Sequence, residues 1–279
     1  MPYLIAVSLL WAFSFGLIKG RLAGLDSAFI SATRLGLALL VFAPFFRLKG
    51  LTLRPALTLA AIGAVQFGLM YLAYNESFRY LQAHEVALLT LTTPVFVTLM
   101  GDALARTFRI RALAAALLAV GGTGVVVYHG QNFRPTLPGL ALVQLSNLAF
   151  AVGQVGYKRF RERRSALGDR DIFALLYAGA FSLTLPLALF RADPDTFTLT
   201  VTQSLTLLYL GVLASGAGFF LWNMGATRVG TGALAVMNNA KIPLAVACSL
   251  IFFGESADLP RLALSLVLLS AAVWLAEKR

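Results

Sequence analysis

The sequence predicts an all-α membrane protein with ten transmembrane helices arranged as two inverted five-helix repeats. Three observations predict it: an apolar composition, ten apolar runs of membrane-crossing length, and a weak internal repeat with an odd number of helices. Of 279 residues, 59% are hydrophobic and 13% charged, and the mean hydropathy is +0.80. Soluble domains are about 45–50% apolar and about 25% charged, so this chain folded in water would expose a surface that water solvates poorly.

The apolar runs fall at 3–19, 27–46, 56–77, 84–101, 110–128, 138–157, 172–190, 204–222, 230–253 and 260–276. At about 1.5 Å per residue each spans most or all of a hydrocarbon layer of about 30 Å. β-Barrel strands would instead be alternating segments of about ten residues. Gly20, Asp26, Gly50, Pro55, Pro135, Pro138, Pro194 and Pro260 punctuate the breaks. The N-terminal stretch lacks a basic leader and a small-residue cleavage site, so it reads as a retained first helix.

The net charge of +11 comes from 23 Lys and Arg against 12 Asp and Glu, and its placement sets an orientation. With the N-terminus inside, fifteen basic residues fall on the inner side, including the 158–164 run KRFRERR. Six fall outside: Lys19, Arg21, Arg79, Arg134, Arg191 and Arg261. Positive charge is retained in cytoplasmic connections, so both termini are expected in the cytoplasm, with the chain in a bacterial inner membrane. The 158–164 run has no aromatic stacking platform beside it and reads as a topology signal, not a nucleic-acid site. Cys248 is the single cysteine, and His84 and His129 are far apart; disulfides and Cys/His metal sites are excluded.

A shift of 149 residues lays Pro94 on Pro243 and Arg79 on Arg228. A shift of 137 lays Ala12, Phe13 and Gly16 on Ala149, Phe150 and Gly153. The units are placed at 1–130 and 131–279. Five crossings deliver the second unit upside down, a geometry in which a site sits near the midplane between the halves. Pro94 and Pro243 deprive the carbonyls of Thr90 and Asn239 of their helical donors. Lipid cannot replace them, so both are expected to line a cavity as helix breaks or hinges, or else to be packing kinks held by nearby Thr and Asn.

Lys241 lies halfway along the ninth run, where a charge is costly unless it faces water or a partner; it is expected to hold an anionic group such as a carboxylate, or else to be a structural cation held by neighbouring amides and carbonyls. Arg34 lies about seven residues into the second run, roughly 10 Å from its start. Snorkelling to the interface would give it a structural role. Gln66, Tyr71, Tyr74, Asn75, Gln144, Asn147, Gln154 and Asn223 add amides and hydroxyls at depth, suited to neutral or zwitterionic cargo. Trp11, Trp222, Tyr74 and Tyr157 offer apolar faces or interface anchors. Gly211 with Ser215 and Ala214 with Gly218 have the spacing of close helix contacts. Glu76 and Glu85 sit near helix ends, and no acidic residue occupies a helix centre. There is no G-x-x-x-x-G-K-[ST] stretch, and His84-Glu85 begins no H-E-x-x-H. No enzyme activity and no cofactor are expected.

WAFSFGLIKG at 11–20, Arg34, ALLTLTTPVFVTLMGDALA at 87–105 and ALAVMNNAKIPLAVACSLIFFGE at 233–255 together resemble the duplicated EamA unit of the drug/metabolite transporter superfamily. The resemblance implies a ten-helix exporter with a central cavity, most similar to the bacterial aromatic amino acid exporters. The family's Gly-Glu after the ninth helix matches Gly254 and Glu255; the first copy has Ala105 and Arg106 instead. The expectation is a secondary exporter of amino acids, aromatic or otherwise hydrophobic, and related small metabolites, working by alternating access. Trp11, Tyr74, Thr90, Asn147, Trp222, Asn238, Asn239 and Lys241 are the expected substrate contacts. The cargo's ammonium would meet the carbonyls of Thr90 and Asn239. A drug or nucleotide-sugar carrier of the same fold is the alternative, followed by an intramembrane enzyme or a sensory scaffold.

Overall fold

The computed structural model describes the chain except residues 23, 48–49, 129–134, 192–198, 254–257 and 278–279, and for 12–20, 83–84 and 245–253 it describes the backbone alone. Among the described residues the fold is helical without strands. The rods are α1 (Pro2–Arg21), α2 (Ser27–Phe42, tightened to a 3-10 turn over Ala43–Phe45), α3 (Leu53–Ser77), α4 (Ala83–Thr90 and Thr93–Ala105), α5 (Ile110–Val127), α6 (Leu137–Arg163), α7 (Asp169–Phe190), α8 (Val201–Ala226), α9 (Thr231–Phe253) and α10 (Leu259–Glu277). Counting the described residues alone, eight of them, all but α1 and α9, are long and apolar enough by composition to cross a bilayer. α1 and α9 have 20 and 23 residues and run through the stretches where only backbone is described.

Helix ends follow local chemistry. Asp26 caps α2 by accepting from the N–H groups of Ala28 and Phe29 at 2.8 and 2.9 Å. Glu85 completes a capping box at the start of α4, accepting from the Gln82 N–H at 2.9 Å. Asp102, buried, accepts from Arg109 Nε at 2.6 Å and from its backbone N–H at 2.8 Å, tying down the α4–α5 turn. α6 runs on to Arg163, so much of the basic stretch expected as a connection is helical.

Two prolines behave differently from one another. α4 is interrupted at Leu91–Thr92, and Pro94 opens the second piece, where its missing N–H costs nothing. Pro243 lies inside α9 without ending it, which corrects the expectation of a matched break there. Two further irregularities were not foreseen: α3 widens to π-helical turns over Ala64–Leu69 and α8 over Leu210–Ala217. Such turns free backbone carbonyls.

α2 packs on α7, α1 on α8 and α9, and α3 on α6 and α7. α2 also meets α8, α4 meets α6 and α9, and α5 pairs with α10 on the periphery. Exchanging each rod with the one five places along maps this set of pairs onto itself. The α3–α7 crossing brings backbones together: a Cβ on Gly63 would lie 1.9 Å from the Leu176 carbonyl oxygen, and one on Gly179 would lie 1.9 Å from that of Ala60. Only glycine fits at either point.

Contacts between helix ends define two faces. On the face of the N-terminus, Arg228 at the end of α8 donates to Tyr3 Oη at 3.1 Å, and the Arg47 N–H after α2 donates to the Asp171 carbonyl at 3.0 Å. On the opposite face Glu76 gathers Ser27, Arg79 and Arg191 at 2.8–3.0 Å, joining the start of α2 to the ends of α3 and α7.

Candidate functional site

Seven rods, α1, α2, α3, α4, α6, α8 and α9, enclose a cavity of about 120 Å³, counted as room for the centres of water-sized spheres. One water needs about 10–15 Å³ on that measure, so the space admits a small organic molecule. Its walls are aromatic and apolar: Trp11, Met70, Tyr71, Tyr74, Phe150, Ala214 and Phe219. Its polar lining is Arg34, Thr90, Thr93, Ser146, Asn147 and Lys241. Among the described residues, two cations and no carboxylate line it.

The irregular backbone around this space is satisfied by side chains. At the α4 break, the Leu89 carbonyl accepts from Asn147 Nδ2 at 2.9 Å and Gln144 Nε2 at 3.4 Å. The Thr90 carbonyl accepts from Thr93 Oγ1 at 2.7 Å, and the Leu91 carbonyl from Asn239 Nδ2 at 3.0 Å. In the π-helical turns of α8, the Ala214 carbonyl accepts from Trp11 Nε1 at 2.9 Å, and Tyr177 Oη reaches the Ser215 and Gly216 carbonyls at 2.8 and 2.6 Å. Beside those of α3, Ser146 Oγ donates to the Met70 carbonyl at 3.1 Å. Non-helical backbone at membrane depth persists only under such conditions. The Thr90 carbonyl expected to receive an ammonium is therefore already in use.

Arg34 does not snorkel. It is 5% exposed, donates through Nε to Ser215 Oγ at 3.1 Å and through Nη2 to Tyr71 Oη, and its guanidinium carbon lies 4.3 Å from the Tyr71 ring centroid. Tyr71 Oη and Ser215 Oγ are also bonded to each other at 3.0 Å. Ser215, expected as a packing position, is thus part of a polar triad across α2, α3 and α8. Lys241 Nζ lies 5.5 Å from the Trp11 ring centroid, and no carboxylate is within ion-pair distance of either cation among the described residues.

Of the eight expected contacts, Trp11, Tyr74, Thr90, Asn147 and Lys241 lie together in the lining. Trp222, Asn238 and Asn239 lie outside it. Trp222 is fully buried, with its ring 5.0 Å from that of Trp11, and donates to Gln154 Oε1 at 3.0 Å. Asn238 exchanges hydrogen bonds with Gln154 and donates to the Leu234 carbonyl. Asn239 donates to Thr123 Oγ1 as well as to Leu91. Gly254 and Glu255 fall outside the described residues. Sequence reasoning did not name Arg34, Met70, Tyr71, Thr93, Ser146, Phe150, Ala214 and Phe219 as substrate contacts; Arg34 gave a signal as a charge inside an apolar run, Tyr71 as a hydroxyl at depth and Thr93 as a polar neighbour of the Pro94 break.

Toward the face of the N-terminus the cavity is floored. Trp11, Phe150, Phe219 and Trp222 pack with ring centroids 5.0–6.3 Å apart. Below them Gln66 and Asn223 exchange amide hydrogen bonds at 2.8 and 3.1 Å, and Phe42, Phe67, Phe173, Tyr177 and Phe220 fill the remainder.

The chain matches the EamA-like transporter family over residues 1–128 and 137–276. It is 44% identical over 276 residues to a probable biotin transporter of Pseudomonas aeruginosa, covering 98% of this chain and 96% of that protein. It is 38% identical over 280 residues to the biotin transporters of Salmonella typhimurium and Escherichia coli, covering 100% of this chain and 93% of each of theirs. A crystal structure 18% identical superposes with a TM-score of 0.78 over 99% of this chain and 96% of its own, a likeness of fold. These relatives are named for biotin, so the expected kinship with aromatic amino acid exporters gives way to them. A multi-pass membrane protein with a cavity between its helices, the chain belongs to the EamA-like transporter family.

Proposed function

We propose that this protein is a secondary transporter of biotin or a closely similar organic monocarboxylate, carried across a bacterial inner membrane by alternating access. The observation that carries the reading is the lining: among the described residues, two cations without a carboxylate, set among aromatic walls. Biotin combines a carboxylate with an apolar chain and a ring system whose urea group donates and accepts hydrogen bonds. Lys241 is the seat of the carboxylate. Trp11, Tyr74, Phe150 and Phe219 cover the apolar part, and Asn147 and Thr90 meet the urea. The relatives' names point the same way. Among the described residues an amino acid's ammonium would find no carboxylate in the lining, and the carbonyls at the α4 break already accept from side chains, which argues against the cargo expected from sequence.

Ten crossings in two inverted repeats supply the motion. Supporting this are the two stretches matching one family, the π-helical turns in both α3 and α8, and packing pairs that exchange between the halves. With fifteen basic residues assigned by the sequence to the side of the N-terminus, that side is the cytoplasmic one, and the floored cavity belongs to a state closed on the cytoplasmic side.

The test is flux of labelled biotin in both directions across reconstituted vesicles. The wild-type protein carries biotin, and unlabelled biotin competes while phenylalanine does not. Lys241→Met, which keeps length and removes charge, lowers flux at least about tenfold, as expected for losing a charge-assisted contact of ~1.5–3 kcal/mol, with folded yield unchanged. Wild-type vesicles that carry phenylalanine and not biotin would overturn the reading.

A further inference from the structure

We infer that the cavity selects anions against ammonium-bearing molecules, and that Arg34 is the residue that sets this selectivity. The inference rests on the cavity being the cargo site. The guanidinium of Arg34 is buried at the wall, with Nε on Ser215 and Nη2 on Tyr71. Both partners are neutral hydroxyls, so they orient the charge without cancelling it. Among the described residues Arg34 makes no ion pair, and Lys241 shares the lining with it.

A buried charge without a counter-ion is costly, and a second cation in the same apolar enclosure adds to the cost. A bound anion relieves both. A carboxylate on Lys241 leaves the Arg34 charge directed at the rest of the cargo, where an α-ammonium would add a third positive charge to the enclosure. The neutral acceptors left in the lining serve urea or amide N–H groups, which carry no net charge. Lys241 thus attracts the carboxylate, and Arg34 excludes what amino acids carry beside it. The triad holds Arg34 in place across α2, α3 and α8, so its charge stays fixed while cargo enters.

The experiment is a binding titration on the purified protein, read by quenching of tryptophan emission, since Trp11 forms part of the wall. Two matched pairs are used: 3-phenylpropanoate against phenylalanine, and biotin against the analogue in which an amine replaces its carboxyl. The wild-type protein binds each anion at least about tenfold more tightly than its amine-bearing partner. Arg34→Gln, which keeps a donor for Ser215 and Tyr71, shrinks the phenylpropanoate gap to about threefold or less, and Arg34→Lys restores it. A wild-type protein without a gap overturns the inference, and so does a folded Arg34→Gln with the wild-type gap. If Arg34→Gln does not fold, the comparison of Arg34→Lys with wild type decides: a gap lost although charge is kept counts against selection by charge. Binding of phenylpropanoate over phenylalanine with no binding of biotin leaves this inference standing and removes the biotin reading. Biotin bound equally with its amine analogue does the reverse.

Discussion

Asn147 shows how one side chain serves both the frame and the cavity. Its Nδ2 bonds the Leu89 carbonyl at 2.9 Å and Thr92 Oγ1 at 3.0 Å, while the residue lines the open space. Asn147→Ala leaves the Leu89 carbonyl the longer contact from Gln144 and that of Thr92 Oγ1 at 2.9 Å. Interhelical hydrogen bonds in membranes contribute about 0.6–1.7 kcal/mol each, so the variant is expected to unfold a few degrees lower by circular dichroism in detergent. An unchanged melting temperature would show that the α4 break is held without α6. Residue depth was legible in the sequence and residue direction was not. At about 100° per residue, Asn239 points about 200° around α9 from Lys241, toward α4 and α5. Asn238 shares a side with Lys241 but lies one turn nearer the N-terminal face, beneath the aromatic floor. Arg34 was misplaced because a long side chain part-way along a helix can reach either the interface or the interior. The hydroxyl that decides it, Ser215, is 181 residues away.

At the scale of the element, the apolar runs located the rods to within a few residues, because the length of a crossing is set by the bilayer and not by tertiary contacts; the exception is α6, which continues through the basic stretch to Arg163. The π-helical turns left no such trace. Their freed carbonyls are met by Trp11, Tyr177 and Ser146, partners supplied by other rods, and local pattern does not encode them. The break in α4 was legible through Pro94, whereas Pro243 shows that a proline states which bond is missing but not whether the helix parts. The α3–α7 crossing depends on two glycines in backbone contact. Gly179→Val places a branched side chain against the Ala60 carbonyl, and because that atom is backbone the rods must separate. Overpacking costs about 1–3 kcal/mol and sometimes more. The variant is expected to elute as a broadened or aggregated species on size exclusion after membrane extraction, with a lowered melting temperature. A sharp, wild-type profile would mean that the two rods slide freely past each other.

For the whole molecule, the proposed alternating access has the two halves move as bodies, and in this structure the face of the N-terminus is shut. There the start of α1 lies on the end of α8: Arg228 bonds Tyr3 Oη, its guanidinium carbon lies 4.6 Å from the Tyr3 ring, and a Cβ on Gly225 would come within 2.8 Å of Leu4 Cδ2. On that mechanism α1 belongs to the first half and α8 to the second, so opening this face parts them. With the native cysteine removed by Cys248→Ala, the pair Tyr3→Cys and Gly225→Cys is placed to form a cross-link under oxidation, because a Cβ on Gly225 would lie 3.2 Å from that of Tyr3, close to the spacing of about 3.5–4.5 Å that a disulfide needs. The tether leaves the described state intact and forbids the alternate one. Flux of labelled cargo in reconstituted vesicles is therefore expected to fall to background on oxidation and to return on reduction, while each single-cysteine variant stays unaffected. The tether should also leave binding of cargo from the opposite face unimpaired, because the cavity lies above the floor that the tether holds shut. Full flux through completely cross-linked protein would mean that α1 and α8 never separate there, and the rocking of two halves would have to be replaced by a local gate.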